Sequence, residues 1–261
     1  MIIIKNKTAL LKMSKAGALL AEVFEALKSF IKPGLSSLEI DRWIEKQLND
    51  RGLTPRAKGY SGYKHVSCVS VNDALIHGVP KAEVILQPGD LVKIDVIASW
   101  KGYCADMARS FLVVGGDELE AKKIRAFVAV AQRALDKGIA KARAGNHISD
   151  ISAEIQREVE LSGFGVVVDF AGHGIGKQVH EEPEIPNFGE PGKGPKLRLG
   201  MTLAIEPMIT MGNYKVCTMN DGWTVRTCDK SLAAHVEDTI VVTEGAAKIL
   251  TRPNSVGGNK A

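Results

Sequence analysis

One chain plan is written twice in this sequence. Shifting it by 111 residues lays Gly34 on Gly145, Ile40 on Ile151, Ile44 on Ile155 and Gly52 on Gly163. The same shift lays Gly78 on Gly189, Pro80 on Pro191, Leu86 on Leu197, Gly89 on Gly200 and Ile94 on Ile205. Nine identities fall within residues 34–95, where composition alone gives roughly four. The shift also puts Asp95 on Glu206, acid on acid at the end of matching apolar runs. In each copy a helix pair precedes short β-like runs. The pattern predicts an α+β chain of two related halves facing each other across a shared site.

The local signals agree. Leu10, Leu11, Ala18, Leu19, Val23, Leu27 and Phe30 recur at helical spacing over residues 9–30 and stop at Pro33-Gly34. Ser36 or Ser37 can cap a second helix reaching about Asn49, which Gly52 ends. From Thr54 to Val96 the signals turn to β, with alternation over residues 66–71 and turns at Gly78-Val79-Pro80 and Pro88-Gly89-Asp90. A long helix is predicted over roughly 118–142 and another over 147–161, after which short β-like runs return. Residues 1–250 read as a single domain with halves at about 5–115 and 116–250, followed by a polar tail, 251–261.

Composition removes several function classes. The net charge of +4 comes with no block of like charges, so direct nucleic-acid readout is not expected. Cys68, Cys104, Cys217 and Cys228 are scattered without a C-x-x-C pair, which predicts neither a zinc finger nor a disulfide scaffold. Met1-Ile2-Ile3-Ile4 runs straight into Lys5 and Lys7, so no signal-peptide core is expected. No stretch approaches the roughly 20 apolar residues of a membrane helix. These readings predict a cytoplasmic enzyme.

The chemistry lies in five metal-capable side chains. Asp95 ends the run Leu91-Val92-Lys93-Ile94, and Asp106 follows after the turn-prone Lys101-Gly102-Tyr103, so a hairpin would bring the two acids together. His173 lies within Gly172-His173-Gly174-Ile175-Gly176, where glycines let the backbone approach its neighbours closely. Glu206 ends Leu203-Ala204-Ile205 before Pro207, and Glu237 follows His235 and leads into Ile240-Val241-Val242. A D-x10-D spacing alone is usually a pair of surface acids. Buried acids in apolar strands, however, need a compensating cation. Four carboxylates and an imidazole suit two hard or borderline divalent cations, so the set predicts a dinuclear hydrolase centre. His77 and His180 read either as surface histidines or as donors to a developing oxyanion. The sequence carries no G-x-S-x-G, Walker loop or H-E-x-x-H.

Taken jointly, these motifs resemble those of the type I methionine aminopeptidases, of the short bacterial kind. The residues are Asn72-Asp73, His77-Gly78-Val79-Pro80, Asp95-Val96, Asp106, Gly172–Gly176 and His180-Glu181-Glu182-Pro183. Ala204-Ile205-Glu206-Pro207, Asp221-Gly222-Trp223-Thr224 and Glu237-Asp238-Thr239-Ile240 extend the match over about residues 5–250.

The resemblance implies the pita-bread fold, two pseudo-symmetric halves of a helix pair plus antiparallel strands around a central dinuclear metal site. It implies removal of the initiator methionine from nascent proteins and peptides with a small second residue. Asp106 and Glu237 would bridge two divalent cations (Co, Mn, Fe or Zn). Asp95 would chelate one, and His173 and Glu206 would complete the other. Glu206 would also shuttle the proton. His77 and His180 would hold the substrate and the tetrahedral intermediate, and Tyr60, Tyr63, Cys68 and Trp223 would line the methionine pocket. Transient docking on the ribosome and a monomeric state are implied too. The family has an aromatic where this chain has Val179 and often Gln where it has His235; both bear on fine substrate preference. Rivals are a proline-specific aminopeptidase or dipeptidase of the same fold, and a binding relative that has lost its metals.

Overall fold

A computed structural model describes residues 1–252, so most of the polar tail expected at 251–261 lies outside the described residues. Four helices set the frame: α1 (Lys7–Phe30), α2 (Ser37–Asp50), α3 (Glu118–Lys141) and α4 (Ile148–Leu161). Fifteen strands follow in chain order. The first half holds β1 (Thr54–Pro55), β2 (Cys68–Val71), β3 (Ala74–Ile76), β4 (Leu91–Trp100) and β5 (Tyr103–Leu112). Then come β6 (Gly165–Val166), β7 (Ala171–Gly174), β8 (Glu181–Pro186), β9 (Thr202–Ile205) and β10 (Met208–Thr210). Last are β11 (Val216–Thr218), β12 (Val225–Thr227), β13 (Ala233–His235), β14 (Glu237–Val241) and β15 (Lys248–Ile249).

The repeat is structural as well as sequential. Helices α1 and α3 have 24 residues each and α2 and α4 have 14 each, every pair 111 positions apart. Even the caps correspond. Asn6 and Asp117 each accept from a backbone N–H three residues on; Ser36 opens a capping box, and at the matching position the Asp150 carboxylate accepts from the His147 N–H. Strands β1 and β6 match under the same shift.

The main sheet runs β1-β4-β5-β14-β9-β7-β8, with β2 on β4 and β15 on β14, and every pair in it is antiparallel. Strand alternation divides its two faces. Val92, Ile94, Val96 and Ala98 of β4, with Ala105 and Met107 of β5, join Leu20, Phe24, Ile40 and Ile44 in the core under α1 and α2. Leu203, Ile205 and Ile240 do the same under α3 and α4, beside Phe127, Ile151 and Ile155. The intervening residues, Asp95, Asp106 and Glu237 among them, therefore point to the opposite face. Period-two burial of one face thus fixes the direction of three acids.

The cysteines correct one expectation. Cys217 and Cys228 form a disulfide across the β11–β12 hairpin, while Cys68 and Cys104 are free. Among the described residues no helix is long and apolar enough to cross a membrane.

Candidate metal centre

Four of the expected ligands lie on β4, β5, β14 and β7, and Glu206 directly follows β9; these five strands are consecutive in the sheet. Trp100–Tyr103 closes the β4–β5 hairpin with Lys101 and Gly102 at φ 48° and 77°, the left-handed pair of a type I′ turn. That turn sets Asp106 opposite Ile97, two positions from Asp95. Both the N–H and the C=O of Asp106 bond the Thr239 hydroxyl, at 2.8 and 2.9 Å. Behind Glu237, buried Asp238 is held by Arg109, Arg252 and the Thr251 hydroxyl, which anchors the strand from the helix side.

His173 depends on its glycines. A Cβ on Gly172 would come within 2.5 Å of the Ala204 carbonyl oxygen, and one on Gly174 within 2.1 Å of that of Glu182. Only glycine lets β7 lie this close to its neighbours. His173 Nδ1 donates to the Gly174 carbonyl at 2.9 Å, which leaves the Nε2 lone pair free as a ligand. Nε2 lies 3.7 Å from both Asp106 Oδ2 and Glu206 Oε1. Burial holds the ring's pKa down at about 3, so a neutral imidazole and two carboxyl groups converge here rather than ion pairs.

Two three-residue groups could each hold a cation: Asp106, His173 and Glu237, and Glu206, His235 and Glu237. Of the two expected bridges, Glu237 belongs to both and Asp106 to one. Asp95 lines the same cavity outside either group. Asp106 Oδ1 and Glu237 Oε1 are buried without hydrogen-bond partners. Unpaired buried carboxylate oxygens are costly, and with carboxylates and imidazoles converging, the donor set fits divalent cations.

Crowding shifts the titrations. Burial raises Glu206 to about 8 and Asp95 to about 6. Burial and then neighbouring carboxylates push Asp106 and Glu237 well above the usual range. A cation entering at pH 7 must therefore displace protons. Because the ligating form is the charged one, affinity is expected to rise with pH between about 6 and 8, with at least about one proton released per chain. The metal-free fold should behave in the opposite sense. Raised folded-state carboxylate pKa values give stability present below the ordinary range and lost as pH climbs through 6–8. Calorimetric titration with Mn2+ in buffers of different ionisation enthalpy measures the release, and a count of zero would contradict the crowded cluster.

Beside the acids, a cavity of about 210 Å³ is lined by all five expected ligands and by Tyr60, Tyr63, Cys68, His77, His180 and Trp223. Tyr63 donates to the Ser67 carbonyl and meets Trp223 edge-on at 4.9 Å. Asp221 accepts from Trp223 N and Thr224 N, fixing the turn that carries the indole. His77 adopts φ 55°, a left-handed conformation whose strain concentrates at functional sites. Burial, then the charges of His235 and His180, lowers its pKa to about 4. The Tyr60 hydroxyl lies 2.9 Å from His180 Nδ1, and desolvation lowers the pKa of that ring.

Some residues escaped sequence reasoning. Phe170, Ile76 and Ile97 also wall the cavity, Phe170 meeting His77 edge-on at 5.9 Å. Phe170 stands three residues before His173, an aromatic leading into the glycine loop that could have been read as a wall. Val179 was expected to bear on substrate preference. It packs instead with Met13, Cys104 and Ile175 in a core cluster and does not line the cavity. His235 is buried at the centre itself.

Comparison with known proteins shows the family. The model of metallopeptidase family M24 matches residues 11–244. A methionine aminopeptidase of Clostridium perfringens is 47% identical over 251 residues, which cover 96% of this chain and 99% of that one. The crystal structure of methionine aminopeptidase from Thermotoga maritima superposes with a TM-score of 0.92 at 40% identity, covering 97% of this chain and all of that one. A prolidase from Pyrococcus furiosus shares the fold at a TM-score of 0.76 and 24% identity, and this chain spans 66% of its length.

Proposed function

The chain belongs to metallopeptidase family M24 and, within it, to the methionine aminopeptidases; from that premise we propose that it hydrolyses the first peptide bond of nascent proteins and peptides whose second residue is small. The observation that carries this reading is a single cavity joining the carboxylate–imidazole cluster to a wall of Tyr60, Tyr63, Cys68 and Trp223. At about 210 Å³ it is smaller than the roughly 300–1,000 Å³ of sites for drug-sized ligands. It has room for one side chain. A thioether packs well against rings and a thiol. A second, open cavity of about 720 Å³ shares Phe170, Ala171, His173 and His180 with the first, so the rest of the peptide has a way out. A small cavity for one side chain beside a larger one for the rest of the chain favours an exopeptidase.

Asp95, Asp106, His173, Glu206 and Glu237 would hold two divalent cations. Cations there would supply a Lewis acid for the scissile carbonyl and bring the pKa of a water towards about 7. Glu206 takes the proton of the attacking water and returns it to the leaving amine. His77 and His180 donate hydrogen bonds to the substrate and to the oxyanion as charge develops there. We place the enzyme in the cytoplasm, as a monomer acting on chains at the ribosome. In so reducing a compartment Cys217 and Cys228 would stand as thiols.

Rates on a Met-X-Ser peptide series test the reading. With the methionine side chain and the amino group both held, the second residue has little space, because reacting atoms must lie about 3–3.5 Å apart. Rapid cleavage is expected for X = Gly, Ala, Ser, Cys, Thr, Pro or Val, and slow cleavage for Leu, Lys or Phe. The fall should be graded, since one methylene discriminates by about 10- to 200-fold. Equal kcat/KM for X = Ala and X = Leu would contradict the geometry. Faster cleavage of Leu-Ala-Ser than of Met-Ala-Ser would overturn the methionine pocket, and preference for an X-Pro peptide would favour the proline-specific rival.

A further inference from the structure

His235 ends β13, two residues before Glu237, and is 1% exposed. Its backbone is clamped, because its N–H donates to Ser110 Oγ and that hydroxyl donates to the His235 carbonyl. Both ring nitrogens are buried without a hydrogen-bond partner. Leaving a buried polar group unpaired costs about 1–3 kcal/mol, so a histidine here needs an explanation.

The approach to Glu206 supplies one. His235 Nε2 lies 3.2 Å from Glu206 Oε2, yet the contact lacks hydrogen-bond geometry. Two donor atoms each about 2.1 Å from one cation and at right angles lie about 3.0 Å apart. Glu206 thus stands between two imidazoles, with Oε1 3.7 Å from His173 Nε2 and Oε2 3.2 Å from His235 Nε2. Single ligand atoms of Glu206, His235 and Glu237 all lie within 4.8 Å of one another, as do those of Asp106, His173 and Glu237. Each group holds one imidazole, and Glu237 belongs to both.

We propose that His235 Nε2 is a further metal ligand, on the cation that Glu206 and Glu237 would hold. The inference rests on the dinuclear reading above and sharpens the kind of cation involved. A second imidazole moves the centre from an oxygen-dominated set towards borderline ions such as Zn2+, Co2+ or Fe2+ and away from Mn2+ and Mg2+.

The test is the 15N spectrum of uniformly 15N-histidine-labelled protein titrated with Zn2+. Two imidazoles, those of His173 and His235, are expected to move to metal-bound shifts as two equivalents bind. The His235 signal is identified by its absence from the His235→Gln spectrum. Should that variant fail to fold, the nuclear Overhauser contact to Ser110 identifies it in the wild type. In a folded His235→Gln protein, competition with a chromophoric chelator should show one Zn2+ site loosened at least about 10- to 100-fold, the range reached by loss of outer partners alone. Mn2+ affinity should change less. Two bound Zn2+ with the His235 ring unshifted would overturn this proposal and leave the dinuclear centre standing. If no Zn2+ binds, both readings fall.

Discussion

Replacing Asp106 or Glu237 by alanine is expected to leave a folded protein that has lost turnover by at least the order of 10³-fold, since activation of water from a pKa of 15.7 towards about 7 is what the cluster contributes. The fold should survive for a reason visible in the site. The Asp106 backbone is held on both sides by Thr239, and the Glu237 strand is anchored through Asp238 by Arg109 and Arg252. Neither anchor uses the carboxylates removed. Moreover, both acids are buried at 3% and 2% exposure with their pKa values driven up by burial and then by the charge of neighbouring carboxylates. Deleting one relieves repulsion in the metal-free protein, so thermal stability without metal should hold or rise while the gain on adding metal shrinks. Kinetics on Met-Ala-Ser, metal content and unfolding with and without cations separate these effects. Near-normal kcat in either variant under strict chelation would sink the metal reading.

The halves and the ligand set were legible for different reasons. Helix periodicity, caps and terminal glycines are local signals, and the 111-residue shift extends from nine identities to all four helix spans. The acids were legible because each breaks an apolar run, which a buried strand tolerates only for a purpose. What stayed hidden depends on contacts between distant segments. Cys217 and Cys228 meet through the register that pairs Val216 with Thr227, and eleven residues of separation signal no such thing. Val179 follows a loop rather than a strand, so no alternation revealed that it faces Met13 and Cys104. His235 read as a departure from the family pattern. Its place beside Glu206 follows from β13 and β9 running into one centre, which no local pattern shows.

His180→Ala is expected to lower kcat by about 100- to 1000-fold, the usual loss for one donor to a developing oxyanion, while metal content stays at the wild-type level. The geometry separates His180 from the ligands. It belongs to neither three-residue group; its ring lies edge-on to His173 with centroids 4.3 Å apart, on the open side of the cavity. Desolvation lowers its pKa, so the ring is neutral at pH 7 and has one N–H to give. An Nε2–H aimed at the oxyanion requires Nδ1 to accept, and the Tyr60 hydroxyl 2.9 Å away is placed to donate to it. Tyr60→Phe removes this choice of tautomer and should reproduce part of the loss, again without loss of metal. A donor that acts mainly as charge develops lowers kcat and kcat/KM together and leaves KM nearly unchanged. Steady-state kinetics on Met-Ala-Ser, with metal analysis of the same samples, gives all three quantities. If metal content fell with activity, His180 would be a ligand; if KM rose at constant kcat, it would hold the substrate equally in the ground and transition states.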